Sequence, residues 1–441
     1  MAEKMRIGIL GGGIAGVVAA RELSNDPDLE IELVEKADRL GGLQRSMEVN
    51  GAWYDIGAFV FDREHQLLRT FPELYEIFVM VDHSNKAIKP GGGLDYYPMT
   101  LHGYARENGV TGLAIAALDL AYCKMRYWKR DDLIAYIKYY IGGTIYERSG
   151  LRSYIQRFYR TGDDTIDLEF GRQRLPGIRN ECSLRNNARK IVSRIFQRDF
   201  ADQHWRCYVR PPEGFDRVYS TIGDILGARG VTIRAGREIR SITRRGDQFD
   251  VRFDDSERLS YDRIISTIPI ATALDYIGRP IERDLEYMSL NSLFYRFRGE
   301  PGYDSAILYN FTHDGDWKRI TNFSHYYGLN RGDSYFSVES TIRAGETRTL
   351  EEERDSFERH ISRFPLLRGQ LDYQGGRITP NAYPFFRRGD TERIGAARAR
   401  LVEFGLELVG RQGTFAYSTA HQTAENAVAM AGMIRATKEP G

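Results

Sequence analysis

Cysteine is scarce in this chain. The three present, Cys123, Cys182 and Cys207, form no C-x-x-C pair and no metal-ligand spacing. Neither a disulfide scaffold nor a metal site is therefore expected. An excess of one charge is also missing. Lys and Arg number 62 against 61 Asp and Glu, a net charge of +1, so a whole-molecule attraction to nucleic acid or to an anionic membrane is not expected. No long hydrophobic run occurs either. The most apolar stretch, Leu113 to Met125, is short and holds Asp119, so no transmembrane segment is expected. A buried helix is the favoured reading of that stretch over a peripheral membrane contact. Strand-like sequence begins at Met5 without a leader-like segment, and no fixed-period repeat or low-complexity tract follows. Together these absences predict a cytoplasmic, reduced, globular protein.

A chain of 441 residues is too long for one ordinary core, which predicts two or three lobes. Hydrophobic residues at 42% and charged residues at 28% suit a globular enzyme. Aromatics reach 12%, with 27 Tyr, a supply that serves ring-stacking surfaces or a Tyr-rich core equally well. Trp205 and Trp317 are expected in the core.

Arg6 to Leu10 reads as a short apolar strand running into Gly11-Gly12-Gly13-Ile14-Ala15-Gly16. A helical pattern with Val17, Ala20 and Leu23 follows, and a second strand, Ile31 to Val34, ends at Glu35. This is a βαβ unit opened by a glycine-rich turn. From about Gly112 to Phe200 the pattern is mainly helical. Phe215 to Arg229 is helix-like; Val231 to Arg234 reads as a strand, and Ile239 to Thr243 with Phe249 to Phe253 as a hairpin. Ile264 to Pro269 reads as a buried strand. Residues 290–380 alternate aromatic and polar positions, which predicts antiparallel sheet, interrupted by a charged helix from Arg348 to Arg363.

The spacing Gly11-x-Gly13-x-x-Gly16 between strand and helix carries a mechanism. Gly11 makes the tight turn, Gly13 lets backbone approach a pyrophosphate, and Gly16 lets helix pack on sheet. The N–H groups around Ile14 and Ala15, at the positive end of the helix, suit phosphate oxygens. Glu35, 24 residues after Gly11, suits ribose hydroxyls and opposes a 2′-phosphate.

Lys36-Ala-Asp-Arg39-Leu-Gly41-Gly42 follows Glu35. Here the sequence resembles the FAD-containing amine oxidase and protoporphyrinogen oxidase superfamily, whose second strand ends E-x-x-x-R-x-G-G. The resemblance implies that Arg39, Gly41 and Gly42 continue the pyrophosphate cradle, and that Gly57-Ala58-Phe59 passes the isoalloxazine. Near the tail, Gly410-Arg411, Tyr417 and His421-Gln422 resemble the closing segment of one branch, the UDP-galactopyranose mutases, G-R-x-x-x-Y-x-Y-x-x-x-H-Q. Phe415 replaces that motif's first Tyr. Arg206 before Pro212-Glu-Gly214-Phe215, Arg319 within Lys318-Arg319-Ile320, and Tyr383-Pro384 resemble three further mutase segments, whose Arg and Tyr residues bind a substrate diphosphate. Phe170, in Glu169-Phe170-Gly171-Arg172, aligns loosely with a base-stacking aromatic. Phe59 stands where the mutases carry His.

The fold class expected from pattern and resemblance is α/β: a Rossmann-type FAD-binding domain with a helical insertion and an antiparallel β-sheet substrate domain. The expected division is 1–98, 205–285 and 386–441 for the FAD lobe, 99–204 for the helical insertion and 286–385 for the sheet domain. The resemblance implies a pyranose/furanose isomerase of a nucleotide-diphosphate sugar, with reduced FAD as nucleophile. Under that reading Arg411, Tyr383 and Phe59 are the catalytic candidates, and Arg206, Arg319, Tyr383, Tyr417 and Phe170 the substrate contacts. The FAD contacts include Lys36, His421 and Gln422. A diphosphate carries about two negative charges, which Arg forks match. The stretch Arg148 to Arg217 supplies 15 basic against 9 acidic residues. The alternatives are an amine oxidase or desaturase, for which Lys318 is the nearest candidate for a lysine beside the flavin, and a non-catalytic flavin-fold scaffold. A homodimer is possible under any of these.

Overall fold

The structure, a computed structural model, describes residues 4–97, 101–174, 205–281 and 285–437. Five parallel strands form one sheet in the order Glu407–Leu408, Arg263–Ser266, Met5–Leu10, Leu29–Val34 and Thr232–Arg234. Its strands come from the start, the middle and the end of the chain. Ile7, Ile9, Ile31, Leu33, Ile264 and Ile265 are fully or almost fully buried, as strands covered on both faces must be. The opening helix, Ile14–Leu23, buries Val17 to Ala20 and Leu23. It packs against the closing helix, Ala420–Ala436, whose buried face is Ala424, Ala427, Ala431 and Ile434. Alanine at helical spacing lets the two axes approach closely. The helix Gly214–Ala228 adds Phe215, Val218, Tyr219, Ile222 and Leu226 to the same core. The expected hairpin is part of a three-stranded sheet, Ile239–Arg245, Gln248–Phe253 and Arg258–Tyr261.

A seven-stranded sheet stands beside this unit, ordered Leu367–Pro384, Tyr287–Pro301, Ser334–Ile342, Arg319–Asn322, Ile307–Asn310, Asn85–Ile88 and Leu94–Tyr96. Its pairings are antiparallel as the alternation predicts, except that Ile307–Asn310 runs parallel to Asn85–Ile88. The charged helix is Leu350–Ile361. It starts at a capping box of Thr349 and Glu352 and seats Phe357 and Ile361 on Tyr295, Phe336 and Trp317. A buried ion pair fastens the chain's first and middle portions. Arg210 Nε donates to Asp55 Oδ1 at 2.8 Å, and the same guanidinium donates to the Trp53, Pro211 and Pro212 carbonyls. Trp317 is buried as expected. Trp205 is not: it is 42% exposed, at the start of a strand, Trp205–Val209, that pairs with Val79–His83 in a two-stranded ribbon and meets Phe61 on its other side at Tyr208.

The insertion is helical through Leu101–Arg126, which is broken at Gly109 (φ +70°), Leu133–Ile141, Gly143–Arg148, Leu151–Tyr159 and Leu168–Arg174. The expected continuation to Phe200 and Cys182 lie outside the described residues. The apolar run Leu113 to Met125 is helical but not buried. Ile115, Leu118, Tyr122 and Met125 are 50%, 74%, 57% and 72% exposed. The inward face is made instead of small side chains, Gly112, Ala116 and Cys123, against Leu133–Ile141 and Gly143–Arg148. Asp119 also turns inward, where it accepts from the Thr144 N–H at 2.7 Å and so caps Gly143–Arg148.

Candidate active site

The glycine turn after the first strand is built as its spacing requires. Gly11 sits at φ +103°, and a Cβ there would meet Thr267 Oγ1 at 2.4 Å. A Cβ on Gly16 would lie 1.9 Å from the Gly11 carbonyl oxygen, so only glycine lets the helix start this close to the turn. The opening helix has no side-chain cap and no acid in its first turn, which leaves its first N–H groups for an external acceptor. The second turn closes over the first. The Gly41 N–H donates to the Gly12 carbonyl at 2.9 Å, and Gly42, at φ +55°, faces Gly13. Gly410, at φ +87°, packs against Ala15, so the tail reaches the same turn. Gly57-Ala58-Phe59 lies between the two sheets' cores. Phe59 packs edge-on to Phe215 of the Rossmann unit, and Ala58 packs with Tyr309 of the large sheet.

A second cluster gathers where the large sheet meets the closing segment. Tyr383, partly buried, is stacked on Tyr417 with ring centroids 6.1 Å apart, and the Arg411 guanidinium lies 5.4 Å from both rings. Arg411 is held by the Ser418 carbonyl at 2.6 Å. Among the described residues it faces no carboxylate. Lys318, 2% exposed, donates to the Tyr383 hydroxyl at 3.2 Å and pairs with Glu339 at 3.0 Å. Arg319 takes the same carboxylate bidentately, Nη2 to Oε2 at 2.8 Å. Burial pushes the Glu339 carboxyl up, but Arg319 and Lys318 outweigh it and hold the group below the usual carboxylate range. Tyr383 balances the same way. Burial raises its phenol, while Lys318, Arg319 and Arg411 bring it below its ordinary value.

Residues 9–76 match the NAD(P)-binding Rossmann-like domain family, and residues 180–351 match the flavin containing amine oxidoreductase family. In these two segments the chain is similar to the FAD-dependent amine oxidase superfamily. Its cofactor is FAD. No curated protein matches the chain. Its fold is similar to that of a reduced UDP-galactopyranose mutase: TM-score 0.76, 18% identity, covering 99% of this chain and 97% of that one. It is also similar to a putative protoporphyrinogen oxidase from Exiguobacterium sp. 255-15, with TM-score 0.70, 16% identity and coverage of 99% and 100%. Putrescine oxidase bound to putrescine gives TM-score 0.62, 14% identity and coverage of 98% and 99%.

The residues present fit the superfamily's FAD: Gly13 and Gly42 leave a cradle that side chains would fill, and the uncapped helix start points into it. Glu35 has a local duty that its sequence position did not reveal. Oε2 accepts from the Gly12 N–H at 2.7 Å and Oε1 from the Ala37 N–H at 2.9 Å, so it staples the two turns together. Each oxygen keeps a lone pair for a ribose hydroxyl. Arg39 pairs with Asp216, and Lys36 with Glu238 at 2.9 Å. His421 accepts from the Gln66 N–H at 2.9 Å, and Gln422 completes the closing helix's capping box with Thr419.

Of the expected substrate contacts, the structure brings Arg319, Tyr383, Arg411 and Tyr417 together. Arg206 stands apart, with its side chain 78% exposed and Asp82 as its ion-pair partner at 3.8 Å. Phe170 is 3% exposed, its ring enclosed by Phe158, Tyr159 and Tyr417. Two members of the cluster were missed or underrated by sequence reasoning, Glu339 and Lys318. A signal existed for the first: Glu339 is the lone charge in a strand, Ser334–Ile342, that is buried throughout. A charge in such a run implies a buried partner.

Proposed function

We propose that this flavoenzyme acts on a nucleotide-diphosphate sugar, as a UDP-galactopyranose-mutase-like pyranose/furanose isomerase. The observation that carries this reading is the charge balance at Tyr383. Lys318, Arg319 and Arg411 gather round Tyr383 with one carboxylate, Glu339, which pairs with the first two; this leaves an excess of about two positive charges in largely desolvated surroundings. A diphosphate matches that excess in sign and size. A protonated amine would meet like charge there, where repulsion is poorly screened.

FAD, when bound in its reduced form, supplies the nucleophile for the sugar's anomeric carbon. The chain's own residues bind and orient. Arg319 and Lys318, fixed by Glu339, present donors to phosphate oxygens. The Tyr383 hydroxyl accepts from Lys318 and donates its proton to a phosphate oxygen. Arg411, fixed by the Ser418 carbonyl, screens the negative charge released at the leaving diphosphate. Tyr417 stacks behind Tyr383 and excludes water, with Phe170 supporting it from the core. Arg206, at the exposed ribbon, takes a rim contact with the nucleotide. The backbone of Gly57-Ala58-Phe59 runs past the isoalloxazine, with Phe59 anchored on Phe215. A second reading, amine oxidation, is favoured by one observation, a buried lysine (Lys318) against the pocket's tyrosine.

The test is a panel of nucleotide-diphosphate sugars on dithionite-reduced, FAD-loaded protein, with ring-size interconversion followed by chromatography. Turnover of an amine with oxygen uptake and peroxide release, and no interconversion, selects the oxidase. Arg411→Met is expected to weaken binding of a nucleoside diphosphate about tenfold to a hundredfold, the loss of a charge-assisted contact of about 1.5–3 kcal/mol.

A further inference from the structure

The helical stretch that follows the break at Gly109 and runs to Arg126 leaves an apolar face uncovered. Ile115, Leu118, Tyr122 and Met125 recur at helical spacing on one side, each at least half exposed, with Val110 before them and Trp128, 63% exposed, after them. Exposed alanines at 114, 117 and 121 widen the same stripe. Scattered exposed apolar residues need no explanation, whereas a contiguous stripe of this kind marks an interaction surface.

The charges at its end identify the partner. Lys124, Arg126, Lys129 and Arg130 cluster beside Trp128 where the helix stops. None of the four enters an ion pair among the described residues. Lys124 and Arg130 lie over the Tyr139 ring at 4.7 and 4.8 Å, Arg126 beside Tyr127, and Lys129 beside Trp128. Aromatic rings thus hold these cations while their charge stays uncompensated. The acids nearby do not answer them. Asp119 faces inward as a cap for Gly143–Arg148, Asp132 caps Leu133–Ile141, and Asp131 is single and lies beyond the stripe. A second copy docked on this face would find no carboxylate on the stripe to pair with the cations. An anionic lipid surface supplies both components: hydrocarbon for the stripe, and headgroup negative charge for the basic end, with Trp at the boundary between them.

We propose that this helix face docks the protein onto an anionic membrane surface, lying in the interface without crossing it. No helix among the described residues is long and apolar enough to span a bilayer. The proposal is independent of the reaction assigned above, and its test needs no turnover. FAD-loaded protein is sedimented with sucrose-loaded vesicles of phosphatidylcholine alone, or of phosphatidylcholine with 30% phosphatidylglycerol. Pelleting is expected with the anionic vesicles, with little on phosphatidylcholine alone. Lys129→Gln with Arg130→Gln is expected to weaken it about twenty-fivefold, near fivefold for each charge lost. Leu118→Asp with Met125→Asp is expected to weaken it about tenfold or more. Those two side chains are over 70% exposed, so the fold and flavin content should be unchanged. Absence of pelleting with either vesicle overturns the proposal, as does unaltered pelleting of the Leu118/Met125 variant. A dimer in sedimentation velocity that this variant dissociates, with no lipid binding by the parent protein, assigns the face to a second copy instead.

Discussion

Removing the charge of Glu339 should cost more stability than any other single change in the pocket. The carboxylate is fully buried and serves two cations at once, Lys318 at 3.0 Å and Arg319 through both its oxygens. Glu339→Gln keeps the shape and leaves two poorly solvated cations without their counter-charge. Stripping one partner from a buried ion pair costs about 3–5 kcal/mol. At roughly 2–4 °C per kcal/mol for a unit of 150–250 residues, the melting temperature should fall by about 6–20 °C. The loss should depend on pH. A carboxyl whose folded pKa lies below its unfolded value of 4.5 contributes stability above that value and loses it as pH falls through the folded one. The gap between parent and variant is therefore full at neutral pH and narrows only as the pH falls below the unfolded value toward the lower folded one. Lys318→Met added to Glu339→Gln should recover part of the loss, because one orphaned cation is gone. Differential scanning fluorimetry across pH 3–8 measures all of this. A variant that melts within a degree or two of the parent at pH 7 would refute the argument. So would a double variant worse than the sum of the singles.

Gly42→Ala should lower FAD retention at least about tenfold with little change in fold, since its methyl would enter the cradle 3.0 Å from the Gly13 Cα at φ +55°; full flavin content after gel filtration would contradict this. Tyr383 should ionise below pH 10, seen as a phenolate difference at 295 nm between parent and Tyr383→Phe, and Lys318→Met should move that titration upward. A difference that titrates at or above 10 removes the role given to the surrounding cations. Asp55→Asn strands the buried Arg210 guanidinium and should destabilise by about 3–5 kcal/mol without altering nucleotide affinity; a change in affinity alone would place that pair in the site.

The βαβ opening was legible because its constraints are local. Gly11 and Gly16 are forced by sterics within a few residues, and the flanking strands carry the Ile and Leu residues that a doubly covered sheet buries. The alternation across residues 290–380 likewise announced antiparallel sheet. The uncovered helix was misread for an equally physical reason. Hydrophobicity states that a segment can be buried, but not whether a neighbour exists to bury it, and here small residues took the inward face while Leu118 and Met125 were left outside.

The candidate site divides along the same line. The sequence alone determined the dinucleotide turn and its acid at Glu35, because residue type and short-range spacing encode them; Arg319, Tyr383 and Arg411 stood out only through their resemblance to the mutase segments. Only the tertiary structure decided that Arg319 and Lys318 share Glu339, that Tyr383 stacks on Tyr417 beneath Arg411, and that Arg206 stands apart beside Asp82. Those partnerships join strands and turns 20 or more residues apart, and burial, which sets their strength, is a property of the packed chain rather than of any segment of it.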